Sequence, residues 1–577
     1  MFSRQAKKGT SLPKNGEIFI LLVDSCYHDD QHQVTHRGAL ITLLVVIAFL
    51  AIVRLRIASV ALERDEGEYA YAGQLILQGV PPYRLVYNMK FPGVYYAYSV
   101  ILALFGQTAW GIHAGLLCVN AATVLIIYFL ARRLLNDGLG AVVAGATFGI
   151  LSIDRWIMGV FAHATQFVVL AAMSGLLVLF HALESKRTIA FIGAGLMLGL
   201  SVLMKQNGIF FLAFGLGATV WIEMEQKAKR RGATARIFAL VLVSSAIPFM
   251  FMIAVLLAQG VFQNFWFWTF QYAKEYVSLV PVSEAIFVLA AQLLSITRAN
   301  YGLWVFSAAG MLALWMTRWP RQTRFLLTAF LATSLISTVP GFYFRAHYFI
   351  LLLPAVALFT GVAVISIANR LANALSSRTA RTLAAAVFVA ISAAYIGIER
   401  DYLFSMPVFE VSKSRYGSRP FVEALEIADY IRARTSPSDR IGVLGSEPEI
   451  YFYANRISAT GYVYVYGLME QQRYSVRMQE EMIDELNAGH AKYLVFVDVR
   501  NSWLGEGQVF KPDEKILAWS NRYLQECYEL VGIADIPPSG PATFVWENVA
   551  SYRPHSNSIV YTYRSRTETP CSVPIKY

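Results

Sequence analysis

From about Arg37 to about Glu399 the chain alternates long apolar runs with short polar loops. Runs of roughly 17 to 25 residues match a hydrocarbon core of roughly 30 Å at helical rise. The pattern predicts spans at roughly 38–60, 108–131, 138–153, 157–182, 188–204, 207–222, 236–259, 300–317, 324–342, 347–370 and 379–398. That is a polytopic α-helical membrane protein of about 11 spans. From Arg400 onward the pattern changes. "PFVEALEIADYIRART" and "QQRYSVRMQEEMIDELNAG" carry helical periodicity, while "RIGVLG" and "KYLVFVD" read as buried strands. Helix–strand–helix–strand predicts a small C-terminal soluble α/β domain. It holds neither G-x-G-x-x-G nor G-x-x-x-x-G-K-[ST], so no nucleotide site is expected in it. The organisation expected is a leader over 1–37, a membrane domain over 38–399 and an α/β domain over 400–577.

Composition agrees with this class. Only 15% of the 577 residues are charged, against roughly 25% for soluble domains. The net charge of +11 could suggest nucleic acid, but the basic residues sit in short loops between apolar segments, which is the positive-inside pattern. No nucleic-acid partner is expected. With the basic leader cytoplasmic, Arg132-Arg133, Lys186-Arg187, "EQKAKRRGATAR", "TRWPRQTR" and "NRLANALSSRTAR" all fall inside. "SIDRW", "MKQNG", the aromatic stretch 260–299, "GFYFRAH" and the tail domain fall outside. The parity holds only if "FPGVYYAYSVILALFG" does not cross. That run is about 16 residues, starts at a proline and is broken by tyrosines, as suits a re-entrant or juxtamembrane helix. The first outer loop, 61–107, is therefore long and structured.

Other features change the picture less. Cys118 lies in an apolar segment and reads as a small core residue. Cys527 and Cys571 could pair if the tail faces an oxidising compartment. The leader segment "CYHDDQHQVTH" has histidines at i, i+4 spacing but reads as solvated chain without a metal role. "FQNFWFWTFQYAKEYVSLVPVSEAIF" suits an interfacial aromatic belt, the favoured reading, and also a surface gripping an isoprenoid chain.

The chemistry-bearing cluster lies in the first outer loop, where "ERDEGEYAYA" is followed by "NMKFPG". A solvated connector would explain the charges alone. Against it, Lys90 and the rigid Pro92 return to the leaflet that holds Asp65, Glu66 and Glu68. A carboxylate can take the proton from an attacking hydroxyl, and a cation can stabilise a departing phosphate.

Here "DEGEYAYA" (Asp65–Ala72) and "KFPG" (Lys90–Gly93) resemble the GT-C superfamily of glycosyltransferases. More narrowly they resemble its bacterial polyprenyl-phosphate-sugar-dependent members: protein mannosyltransferases, lipid A aminoarabinose transferases and rhizobial galacturonosyltransferases. "WGIHAGLLCVNAATVLIIYFLARRL", "GLSVLMKQNG" and "FYFRAHYFILLLPAVALFTG" extend the likeness over about 38–370. The resemblance implies a GT-C-like fold, a polyprenyl-phosphate-linked sugar donor, a lipid, glycan or protein acceptor, and a site facing outward from a bacterial inner membrane. It makes Asp65 the candidate base with Glu66 as neighbour or substitute, Lys90 a ligand of the lipid phosphate and Tyr69 a cavity-wall residue. Lys205, Arg345 and His347, at the same outer level, become candidate donor-binding residues. Two departures stand out. Lys90-Phe91-Pro92 replaces the frequent Lys-Pro-Pro. For the acid often present in the second outer loop the candidates are Asp154, which Arg155 could pair with, and the polar His163 and Gln166 further along. Hence no metal ligands are assigned and no cofactor is certain; a divalent metal stays open, with Asp65 and Glu66 as its only plausible ligands. Two other readings share the same cavity: a transporter or flippase of lipid-linked saccharides, which would be expected to carry internal repeats that this chain lacks, and a non-catalytic assembly subunit.

Overall fold

The computed structural model describes residues 36–225, 231–503, 515–567, 569 and 571–574. The leader and its histidine cluster lie outside the described residues, as does most of "EQKAKRRGATAR".

Each of the eleven predicted spans contains a helix. Seven helices are long and apolar enough to cross a membrane: Arg37–Arg56, Ala109–Leu135, Ala164–Ser185, Gly208–Glu225, Gly232–Ala258, Ala346–Leu371 and Ser377–Ile398. The chain is a multi-pass membrane protein. Gly138–Leu151, Thr188–Met204, Tyr301–Met316 and Arg321–Ile336 fill the remaining predicted positions as shorter helices of 14 to 17 residues. Gly93–Phe105 has 13 residues and reaches about 20 Å, short of a core of roughly 30 Å, as Gly138–Leu151 also is. Gly93–Phe105 packs on Arg64–Leu77, on the outer end of Ala109–Leu135 and on Thr188–Met204.

Ion pairs mark one end of the bundle. Lys186 meets Glu223 at 2.6 Å, Arg381 meets Asp137 at 2.9 Å, and Arg133 pairs with Glu184. These are the loops that charge bias assigns to the cytoplasm. The opposite end carries Arg54, the 152–163 turn, Lys205 and the first outer loop. The 152–163 turn delays the helix predicted from 157 until Ala164. Asp154 causes this: its carboxylate accepts the N–H groups of Trp156 (2.7 Å) and Ile157 (3.1 Å) and the amide of Asn300 (2.7 Å). Burial pushes its carboxyl up to about 6. Arg155 pairs with Glu399 at 2.9 Å, not with Asp154 as expected. Cys118 is not in the core either; it is exposed on the outside of its helix.

The 260–299 stretch forms two helices, Phe262–Val277 and Val282–Thr297, bent by 91°. Phe265 packs on Tyr83 and Phe91, so part of the expected belt buttresses the first outer loop. Gly93 permits the same loop to lie on the bundle, because a Cβ there would collide with the Leu203 carbonyl.

The tail is a six-stranded sheet in the order β2-β1-β3-β6-β4-β5, with β1 Arg440–Leu444, β2 Ile457–Ser458, β3 Tyr493–Asp498, β4 Tyr528–Asp535, β5 Thr543–Trp546 and β6 Ile559–Ser565. The strands predicted at "RIGVLG" and "KYLVFVD" are β1 and β3, paired in parallel with Ile441 opposite Tyr493. The remaining half is antiparallel, β3 to β6 to β4 to β5, and was not anticipated. Cys527 and Cys571 form a disulfide across 5.8 Å between Cα atoms.

Candidate active site

The helix Arg64–Leu77 starts with a capping box: Glu63 accepts the Glu66 N–H (2.9 Å) and Glu66 accepts the Glu63 N–H (3.4 Å). Successive side chains then diverge by about 100° around the axis. Arg64 turns to the tail domain, where it pairs with Glu447 at 2.9 Å and bonds the Ser446 carbonyl. Asp65 turns to a cavity of about 550 Å³. Glu66 turns inward, fully buried.

Asp65 Oδ1 meets Lys90 Nζ at 3.2 Å. Its other oxygen lies 3.8 Å from His163 Nδ1 and 3.9 Å from His347 Nε2. Burial works to raise the Asp65 carboxyl. The field of Lys90, followed by His163 and Lys205, outweighs it and brings the group to about 2. Glu68, one turn on, accepts Asn88 Nδ2 and Tyr95 OH, each at 2.6 Å. Burial carries it up to about 7 against the pull of Lys90. Glu68 therefore braces the Asn88–Lys90 turn behind the cavity wall.

Lys90, Arg345 and His347 line the cavity with Asp65, as the sequence pattern expected. Lys205 does not; its ammonium sits 4.0 Å over the ring of Tyr348, which does line it. Burial, then Lys90, lowers Lys205 to about 7. Tyr69 is not a wall residue. It is buried, packed on Tyr95 and Tyr98, with Lys90 Nζ 5.5 Å over its ring. Glu66 does not line the cavity: it accepts the Ala162 N–H at 2.5 Å and faces His113 Nε2 at 3.0 Å. Its neighbour in sequence faces the cavity, and one helical step sends it into the core.

His163, expected only as a polar residue of the second outer loop, is brought into the cluster by the 152–163 turn. It is buried and stacks on His347 with ring centroids 4.1 Å apart. Neither ring nitrogen of His163 has a hydrogen-bond partner among the described residues. Burial lowers its imidazole to about 4, against the pull of Asp65, so it is neutral near pH 7 and its lone pair is available. Asp65, His163 and His347 offer one oxygen and two nitrogens within 4.8 Å of one another. That donor set fits a borderline divalent ion better than magnesium or calcium, which prefer oxygen. Such an ion would add positive charge beside Lys90 for a phosphate. Glu66 takes no part in this cluster.

The far side of the cavity comes from elsewhere in the chain: Trp268, Tyr272 and Tyr276 of the bent helix pair, and Tyr462, Tyr464, Tyr466 and Glu470 of the tail. Arg415 and Arg419 close a third side.

A family model described as dolichyl-phosphate-mannose-protein mannosyltransferase matches residues 89–252. No curated protein sequence matches the chain. Among solved structures, ArnT from Cupriavidus metallidurans in the apo state is 14% identical, over 90% of this chain and 97% of that one, with TM-score 0.55. The same protein bound to undecaprenyl phosphate is 16% identical over 81% and 94%, TM-score 0.53. The Archaeoglobus fulgidus oligosaccharyltransferase in the apo form is 15% identical over 90% and 75%, TM-score 0.51. The chain shares its fold with these membrane transferase structures.

Proposed function

We propose that this GT-C-fold membrane protein transfers a sugar from a polyprenyl-phosphate donor to an extracytoplasmic acceptor hydroxyl, with inversion at the anomeric carbon. One observation carries the reading: a carboxylate and an ammonium 3.2 Å apart, both open to one cavity at the outer end of the bundle. ArnT is a structural neighbour recorded with undecaprenyl phosphate, and the archaeal oligosaccharyltransferase AglB, TM-score 0.50, with dolichol phosphate. These support a donor of the same chemical kind.

In the proposed step the acceptor oxygen bonds to the anomeric carbon as the bond from that carbon to the phosphate oxygen breaks. The bonding pair leaves with the phosphate, and Asp65 takes the acceptor proton. In the resting site Asp65 at about 2 is too acidic to be an effective base. A donor phosphate drawing Lys90 toward itself loosens that hold, so donor binding raises the basicity of Asp65 as it supplies the electrophile.

The loop-charge pattern supports a bacterial plasma-membrane setting with cavity and tail on the periplasmic side, and the Cys527–Cys571 disulfide agrees with an oxidising compartment. A cysteine at the exposed Arg84 should react with an impermeant thiol reagent from outside intact cells; reaction only after lysis would reverse the orientation. Catalysis is tested with purified Asp65→Asn and a polyprenyl-phosphate sugar. Release of polyprenyl phosphate should fall by about 10²-fold or more. Wild-type release by the variant sinks the base assignment. Wild-type protein that moves the lipid across vesicles without cleaving it points to a flippase.

A further inference from the structure

The cavity has a second pole, remote in sequence from the first outer loop. The tail reaches over the bundle through residues 461–470, and three contacts hold it there. The Tyr87 N–H donates to the Gly461 carbonyl at 2.8 Å, Tyr87 OH donates to Glu485 at 3.0 Å, and Arg473 pairs with Glu275 at 3.1 Å. Tyr87 also stacks on Trp268 at 5.5 Å and meets Tyr462 edge-on at 5.1 Å. The wall is thus built jointly by the first outer loop, the bent helix pair and the tail.

Among the described residues Glu470 is the one carboxylate the tail contributes to this wall. It is 3% exposed, and Tyr272 OH donates to its Oε2 at 2.7 Å. Its other oxygen accepts no hydrogen bond among the described residues. Buried carboxylates without full hydrogen bonding are costly to keep. Burial raises this one to about 7, against the Tyr272 hydrogen bond and the charge of Arg345. Around it stand aromatic faces at several angles: Tyr276 stacked on Tyr343 at 4.6 Å, and Trp268 edge-on to Tyr272 at 5.2 Å. Aromatic faces that can pack against C–H groups, beside a carboxylate with one oxygen still open to an O–H donor, form a receptor for a saccharide ring.

We infer that Trp268, Tyr272, Tyr276, Tyr462 and Glu470 form a saccharide-binding subsite, in which Glu470 accepts hydrogen bonds from ring hydroxyls and sets specificity. This rests on the glycosyl-transfer reading above and deepens it: the tail domain supplies recognition while Asp65 and Lys90 supply chemistry. The ring belongs either to the donor sugar or to a glycan acceptor, and the chemistry of recognition is the same for both.

The test reads binding alone, so it does not depend on turnover. The purified full-length chain is mixed with methyl glycosides of mannose, glucose, galactose, galacturonic acid and arabinofuranose, and saturation-transfer NMR is recorded. At least one glycoside should receive saturation at its ring protons. Glu470→Ala should weaken its Kd by about 10- to 100-fold, the loss expected for hydrogen bonds to a charged group. Glu470→Gln preserves shape and an acceptor for Tyr272 OH and should fall between. Undecaprenyl-phosphate mannose then separates the sources: displacement of the glycoside assigns the ring to the donor, and retention assigns it to the acceptor. Unchanged binding in both Glu470 variants, or no glycoside bound by wild-type protein, overturns the inference. The transfer reading fails on a different measurement, polyprenyl phosphate release by wild-type enzyme.

Discussion

Replacing Lys90 by glutamine should make Asp65 a stronger base while removing the group proposed to hold the phosphate. The two charges are 3.2 Å apart, which corresponds to about 5 kcal/mol at an effective dielectric of 20. The pair is 14–18% exposed, and solvent screening that halves the interaction leaves about 2.5 kcal/mol, or about two pH units of carboxyl basicity. Lys90 is the largest of the positive charges that lower Asp65, ahead of His163 and Lys205. In Lys90→Gln the Asp65 carboxyl should therefore rise from about 2 to about 4 or somewhat higher. Carbodiimide attacks protonated carboxyls, so modification of Asp65 located by tandem mass spectrometry reports this shift without needing activity. Between pH 4 and 5 the wild-type residue should stay unmodified and the variant should be modified substantially. The sign follows from linkage: a depressed carboxyl stabilises the fold above its ordinary value and loses that stabilisation as pH falls toward about 2. Lys90→Gln should thus flatten the acid-side fall in melting temperature between about pH 4 and pH 2. Identical labelling of Asp65 in both proteins refutes the claim that Lys90 sets its acidity.

Three further outcomes follow from the same geometry. Glu66→Ala leaves His113 and the Ala162 N–H without their carboxylate and should cost about 2 to 4 kcal/mol in thermal or denaturant unfolding; Glu66→Gln, once folded, should retain turnover per folded molecule, and a specific collapse of kcat would place Glu66 in the chemistry after all. Lys205, lowered to about 7, gains its charge as pH drops, so undecaprenyl phosphate measured by calorimetry should bind about fivefold more tightly at pH 6 than at pH 8.5, and Lys205→Met should abolish most of that dependence. Gly93→Ala forces a methyl group onto the Leu203 carbonyl; it should lower stability by about 1 to 3 kcal/mol and loosen the Lys90 turn, seen as a lower melting temperature together with faster hydrogen exchange over 88–93.

By itself the sequence determined the membrane architecture, because hydrocarbon imposes a length and a composition on every crossing helix and the cytoplasmic loops record charge. The same parity led to an expected outer position for Asp65 and Lys90, and it required that Gly93–Phe105, a helix of 13 residues, not cross. Composition could not decide which way a side chain points. Asp65 and Glu66 are adjacent acids, yet a helical step of about 100° separates a cavity group from a core group, and only the packing of the 152–163 turn and Ala109–Leu135 against this helix fixes which is which. Tyr69 changes from wall to backing for the same reason. Contacts between distant segments were equally hidden. His163 meets Asp65 and His347 because the chain turns at 152–163 around Asp154, and the 461–470 segment reaches the cavity because Tyr87, Arg473, Tyr272 and Arg64 all tie the tail to the rest of the chain. Such meetings are set by how helices and sheet pack in three dimensions, and no spacing along the chain encodes them.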